Sequence, residues 1–324
     1  MSQIEKRNLA TATLDIIAPV YNESDNIAPF IEAITQMLQL LPCKSRIIFV
    51  NDGSTDNSQN ILLSLTKQYP HVTVIQFTRN FGKEIAITAG LEHATADICI
   101  PIDTDLQHPV ATICDLVAQW EQGYDHVIAI RHMRNTDSFA RKLSSKLFYQ
   151  LFNACSDLKI PYNAGDFRLL ARPVVNRLLQ YKERNRFMKG LYAFAGGKTT
   201  VIYFDVQQRA NQASRFNFRK LLALALDAIT AFSTIPLRIW SMIGVAICFF
   251  SGIYGGYLII KKLFFDIVLP GYTSLMVTLL FFGGIQLISL GIIGEYLSRL
   301  FVETKQRPLY LVESIDNAEA DNAS

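Results

Sequence analysis

Two carboxylates one residue apart, in Asp103-Thr104-Asp105, carry the clearest chemistry in this chain. A hard cation such as Mg2+ or Mn2+ takes one or two protein carboxylates and fills its shell with substrate phosphates. That arrangement suits a sugar diphosphate, whose leaving group gathers negative charge as the glycosidic bond breaks. Acidic triplets of this spacing also arise by chance in ordinary loops. What separates the two readings is position: the triplet follows a short apolar run, Asp97–Ile102. Two further polar clusters stand in the same kind of place, Tyr21-Asn22-Glu23 after Leu14–Val20 and Asn51-Asp52-Gly53 after Arg46–Asn51.

The elements that must hold these clusters are strands alternating with helices. Leu14–Val20, Arg46–Asn51, Val72–Phe77, Asp97–Ile102 and Val127–Ile130 read as strands, with helices over Asn26–Leu41, Asp56–Gln68 and Glu84–His93. Continuous apolar strands with helices between them predict a parallel sheet covered on both faces. Ligands of such sheets bind beyond the carboxyl ends of the strands, where all three clusters fall. Further on, Arg141–Ala154 places Leu143, Leu147, Phe148, Leu151 and Phe152 at helical spacing, a core helix or one lying against lipid.

After this mixed region the composition changes. Hydrophobic residues make up 50% of the 324 and charged ones 18%, with mean hydropathy +0.20, but the charge lies mostly before Trp240. Two apolar runs, Ile239–Ile260 and Ser274–Gly294, are each close to the roughly 20 residues that cross a bilayer as a helix. Their connector, Lys261–Thr273, contains the turn pair Pro270-Gly271. Arg215, Arg219, Lys220 and Arg238 precede the runs, and Arg299, Lys305 and Arg307 follow them. Such flanking charge marks the cytoplasmic side, and it outweighs Lys261-Lys262 in the connector. Phe216–Thr234 reads as an interfacial amphipathic helix. From about Glu313 the chain is acidic and polar, and disorder is expected.

Several classes fall away. A net charge of +3 is too small to point to nucleic acid. No GxGxxG or GxxxxGKS/T supports a dinucleotide or P-loop site, and the five histidines show no HExxH spacing. The five cysteines form no CxxC pair and fit a reducing compartment. Met1–Thr13 lacks the apolar core of a signal peptide, so the catalytic region is expected in the cytosol.

Five segments occur in order: Pro19-Val20-Tyr21-Asn22-Glu23, Val50-Asn51-Asp52-Gly53-Ser54, Arg79-Asn80-Phe81-Gly82-Lys83-Glu84, Asp103-Thr104-Asp105-Leu106-Gln107 and Gly165-Asp166-Phe167-Arg168-Leu169. With both apolar runs, they resemble the polyprenyl-phosphate branch of family 2 glycosyltransferases. The bactoprenol glucosyltransferases of the GtrB type are nearest, and the dolichol-phosphate mannose synthases more distant. The resemblance runs from Leu14 to about Val312.

It implies a Rossmann-like (GT-A) α/β domain with a mostly parallel sheet, interfacial helices and two transmembrane helices. The expected boundaries are a cytosolic catalytic domain at 1–205, a juxtamembrane segment at 206–238, a two-helix hairpin at 239–297 and a partly disordered cytosolic tail at 298–324. By the same resemblance Pro19, Tyr21, Glu23 and Asp52 would line the base and ribose. Lys83, Asp103, Arg209 and Arg215 would bind elsewhere on the nucleotide sugar. Asp105 and Gln107 would hold Mg2+ or Mn2+, Asp166 takes the catalytic place, and Arg131, Arg141 and Ser145 would hold the acceptor phosphate. A homotetramer in the bacterial inner membrane is also implied.

Four departures stand out. His108 replaces an acid that often follows Leu-Gln in relatives. In Arg209–Phe216, Gln212 replaces a glycine, Arg215 a lysine and Phe216 a tyrosine. Arginine keeps the charge without lysine's point-charge geometry.

The implied reaction is inverting transfer of a hexose, glucose from UDP-glucose, to undecaprenyl phosphate. Another donor sugar (N-acetylhexosamine, mannose or an aminopentose) is the nearer alternative. A non-catalytic nucleotide-sensing membrane subunit is the one from a different class. Against the latter, neither run has a charge in its interior, as a transport path usually would.

Overall fold

The computed structural model describes residues 6–131, 164–184, 186, 188–205, parts of 242–264, and 271–317. Two compact units divide the chain. One carries the sheet and takes in residues from Arg307 onward; the other holds the apolar helices up to Gln306.

In the first unit, β1 (Thr13–Val20), β2 (Lys44–Asn51), β3 (Val72–Phe77) and β4 (Ile98–Pro101) alternate with α1 (Ser24–Leu38), α2 (Ser58–Gln68) and α3 (Lys83–His93). Then come α4 (Thr112–Glu121), β5 (His126–Arg131), β6 (Ala164–Ala171), α5 (Arg172–Leu178), α6 (Met188–Ala195) and β7 (Thr199–Phe204). The last strand is β8 (Val312–Asn317), and the eight strands form one sheet in the order β7-β5-β6-β4-β1-β2-β3-β8.

β1, β2, β3 and β4 pair in parallel, as do β5 and β7. β6 runs antiparallel to both β4 and β5, and β8 antiparallel to β3. The fold is therefore α/β with a mostly parallel but mixed sheet.

Successive strand residues point to opposite faces, and both faces are buried. Ile16, Ile47 and Phe49 pack with Ile27, Phe30 and Ile34 of α1 and Ile113 and Leu116 of α4. Ile17, Ile48 and Val50 pack on the other face with Ala86 and Ile87 of α3, Val174 of α5 and Leu191 of α6. Each fully buried Ile or Phe contributes roughly 1.5–3 kcal/mol. α3 lies so close to β1 that a Cβ on Gly90 would come within 2.3 Å of Ile17 Cγ2.

The expected disorder from Glu313 is corrected by β8, which covers the edge of β3 from Thr73↔Asn317 to Phe77↔Val312, with a register shift between Gln76 and Phe77. An exposed strand edge leaves unpaired N–H and C=O groups, so pairing outweighs the polar composition of this segment. Tyr310, just before it, stacks on Phe77 with ring centroids 4.9 Å apart, and Leu311 C=O accepts from Thr78 N–H at 3.1 Å.

In the second unit, the run Ser274–Gly294 lies inside α7 (Tyr272–Thr304). An 18-residue window within Val277–Thr304 has mean hydropathy 2.0, and this helix is long and apolar enough to cross a membrane. Of the run Ile239–Ile260, a shorter apolar helix is described, Gly244–Tyr257. Both the expected helix at Arg141–Ala154 and the interfacial helix at Phe216–Thr234 lie outside the described residues.

Candidate active site

The carboxyl ends of β1, β2 and β4 open onto one cavity of about 320 Å³. Pro19, Val20, Tyr21, Glu23, Asp52, Asn80, Gly82, Lys83, Asp103, Thr104 and Asp105 form its wall. The loops are tied to one another before any ligand is considered. Asn22, with φ 54°, accepts from Thr55 N–H at 2.8 Å and donates its own N–H to Ser54 Oγ at 3.0 Å. Glu23 N–H donates to Ser58 Oγ at 3.1 Å. Asp52 is buried and accepts from Phe81 N–H at 2.6 Å and Gly82 N–H at 2.9 Å. Burial pushes its carboxyl above the usual range, against those two bonds. Gly53 has φ +64°, and a Cβ there would meet the Arg79 carbonyl carbon at 2.3 Å. This close approach is what brings the segment 79–83 to the cavity.

Lys83 joins the parts. Its Nζ lies 2.6 Å from Asp103 Oδ1 and 3.3 Å from Asp166 Oδ2. Burial works against the ammonium, yet Asp103 and Asp166 together hold its pKa above the ordinary lysine value. Asp166 is on β6, and its Oδ1 is buried without a hydrogen-bond partner among the described residues.

Asp105 Oδ1 accepts Gln107 N–H at 3.1 Å, a local turn in which Leu106 takes φ 54°. Gln107 itself is exposed and is not among the residues of the cavity wall. His108 has Nε2 4.0 Å from Asp103 Oδ2 and packs against Phe167 and Phe204, at 4.8 and 5.4 Å between ring centroids. Burial lowers its pKa despite Asp103.

Of the residues singled out from sequence, Pro19, Tyr21, Glu23, Asp52, Lys83, Asp103 and Asp105 share the cavity, and Asp166 reaches it through Lys83. Arg131 is exposed at the end of β5, in register with Phe204 of β7. Arg141, Ser145, Arg209 and Arg215 lie outside the described residues.

Sequence reasoning assigned nothing to Asn80, Gly82 and Glu84, although all three stand in the quoted segment around Lys83. Nor did it single out Tyr192, which is fully buried with the Arg168 guanidinium 3.8 Å from its ring centroid. No spacing in the sequence joins Tyr192 to Asp166; only the packing of α6 on β6 does.

A sheet covered by helices on both faces, with acids gathered at its carboxyl strand ends, defines an α/β class of ligand-binding fold, and comparison with known proteins gives the family. Residues 15–179 match the model described as "Glycosyl transferase family 2", and residues 235–300 match "GtrB C-terminal hairpin". The chain belongs to glycosyl transferase family 2 and is a glycosyltransferase of the GT-A fold.

It is 43% identical over 301 residues to the bactoprenol glucosyl transferase of Shigella phage SfX, covering 93% of this chain and 99% of that one. A prophage bactoprenol glucosyl transferase homolog of Escherichia coli strain K12 is 42% identical over 302 residues, with 93% and 99% covered. Mannosyl-3-phosphoglycerate synthase from Rubrobacter xylanophilus superposes with a TM-score of 0.47 at 15% identity, covering 68% of this chain and 72% of that one.

Proposed function

We propose that this enzyme transfers glucose from UDP-glucose to a polyprenyl phosphate, undecaprenyl phosphate in particular, at the cytoplasmic face of the bacterial inner membrane. The observation that carries the reading is Lys83, which bridges Asp103 on the cavity wall to Asp166 at 2.6 and 3.3 Å. That bridge sets a cation suited to a diphosphate beside Asp166, whose other carboxylate oxygen, Oδ1, is buried with no hydrogen-bond partner among the described residues. The 43% identity to a bactoprenol glucosyl transferase supports the donor sugar and the lipid acceptor. α7, long and apolar enough to cross a membrane, supports the lipid surface.

In this reading Pro19, Tyr21, Glu23 and Asp52 take the base and ribose. Asp52 also holds the loop that presents Lys83. Asp103 and Lys83 serve the diphosphate, a role that Arg209 and Arg215 take by the family resemblance. Asp105 and Gln107 would hold Mg2+ or Mn2+: the donor set is hard oxygen, and the Asp105 carboxylate stands on the cavity wall. Among the described residues no three His, Cys, Asp or Glu side chains converge, which fits a cation completed by substrate phosphates. When bound, such an ion neutralises charge on the departing diphosphate.

A lipid phosphate monoester has its second pKa near ~6, so its oxygen is already anionic at neutral pH. It needs orientation and a dry site more than a base. Asp166 orients the acceptor and faces the positive charge that develops at the anomeric carbon, as in glycoside cleavage. The phosphate oxygen forms the new bond to that carbon on one face as the bond to UDP breaks on the other, with inversion. Arg131, Arg141 and Ser145 grip the acceptor phosphate, where guanidinium groups supply paired donors.

The full-length enzyme, given UDP-glucose, Mg2+ and polyprenyl phosphate, should yield a glucosyl phospholipid of inverted anomeric configuration. Release of UDP with no lipid product would overturn the reading.

A further inference from the structure

Glu84, a half-buried carboxyl beside the cleft, has no part in the reaction described so far. It follows Lys83 in the first turn of α3, where consecutive side chains diverge by about 100°. Lys83 turns to Asp103 and Asp166, while Glu84 Oε2 accepts Met188 N–H at 3.3 Å. Met188 begins α6, and the first N–H groups of a helix lack intrahelical acceptors and carry partial positive charge. An acid at this point fixes where α6 starts.

One turn later Tyr192 lies beneath the Arg168 guanidinium at 3.8 Å. Arg168 also donates to Gly165 C=O and stands 3.2 Å from His126 Nε2. It is two residues from Asp166 on β6, and the charges of both act on Tyr192. Contacts therefore run from Glu84 through α6 and Arg168 to the strand of Asp166. Lys83 closes the ring at 3.3 Å from Asp166 Oδ2.

We propose that ionised Glu84 is a positioning residue of the transfer reaction, pinning the start of α6 and, through Tyr192 and Arg168, holding Asp166 at its distance from Lys83. This inference rests on the glycosyl-transfer reading above. Glu84 touches no reacting atom in it. The charged and titratable groups that face Glu84 are Lys83 on its own helix, Lys189 and Tyr192 on α6, and Asp166 on β6. Burial pushes its carboxyl up to about 7; Met188 N–H, Lys189 and Lys83 oppose the rise and Asp166 adds to it. Protonation in the neutral range thus weakens a charge-assisted bond to the start of α6.

The test compares full-length wild type with Glu84→Gln, which keeps the shape and an acceptor oxygen but cannot ionise. With UDP-glucose and polyprenyl phosphate at pH 8, kcat should fall about tenfold while the donor KM changes less than about twofold. The limb of the pH–rate profile near 7 should vanish, leaving the limb of the lipid phosphate near ~6. Unchanged kcat with the limb near 7 intact would overturn the proposal.

A second arm needs no substrate. A carboxyl raised from 4.5 to about 7 in the fold contributes stability that is present below the lower value and lost as pH rises through the upper one. The unfolding midpoint of the wild type should therefore drop relative to Glu84→Gln between about pH 5 and 7. Parallel midpoints across that range would overturn the assignment whatever the substrate. A wild type that transfers no glucose yet shows the stability difference would count against the substrate reading and for the buried, ionising Glu84.

Discussion

Lys83 is the side chain on which the cleft depends, because it neutralises Asp103 and Asp166 at once. Without it, in the proposed reaction, two carboxylates would meet the donor diphosphate with no fixed cation between them. Lys83→Met should lower kcat by about 100-fold or more, the scale of losing one preorganised charge at a transition state. Steady-state kinetics of the purified enzyme read this directly, and a loss confined to KM would mean that Lys83 only binds.

Asp105 gives the companion prediction for the metal. Asp105→Asn should nearly abolish turnover with the unfolding midpoint little changed, and a chelator should silence the wild type until Mg2+ or Mn2+ is returned. Full activity in chelator would remove the cation from the account.

At the scale of elements, the loop after β2 carries a steric prediction. Gly53→Ala adds a Cβ 2.3 Å from the Arg79 carbonyl carbon at φ +64°. It should cost about 1–3 kcal/mol in stability and displace segment 79–83, lowering activity as well. Thermal unfolding and kinetics together check this. A variant as stable and active as wild type would contradict it.

The first four strands and three helices were legible in the sequence within a few residues, because apolar runs ending in Asn, Asp and Gly announce buried parallel strands. Val72–Phe77 matches residue for residue. β8 was hidden, since Glu313 and Asp316 read as a solvated tail; only its partner β3 makes it a strand. β6 went unassigned for a related reason: Asp166 and Arg168 break its apolar pattern, and Asp166 pairs with Lys83 at the cavity instead of joining the core. Asp103 and Asp105 were read from the acidic triplet and Lys83 only through the family resemblance, and the fold brings all three to one cavity. Glu84 was not assigned, since its partner Met188 lies 104 residues away in the chain.

Over the whole molecule, a sheet domain with an acid-lined cleft at its carboxyl strand ends is joined in sequence to an apolar segment. We propose, from the basic residues flanking the apolar runs, that both termini are cytoplasmic and the connector Lys261–Thr273 lies outside. Reporter fusions after Arg307 should register in the cytoplasm, and a periplasmic signal there would mean that only one run spans.

The most direct test of the account is a competition among labelled UDP-glucose, UDP-N-acetylglucosamine, GDP-mannose and a nucleotide aminopentose for undecaprenyl phosphate. Full-length enzyme should place glucose in the lipid fraction well ahead of the others, one UDP released per sugar transferred. Preference for a different donor, or label that never enters the lipid, would contradict it.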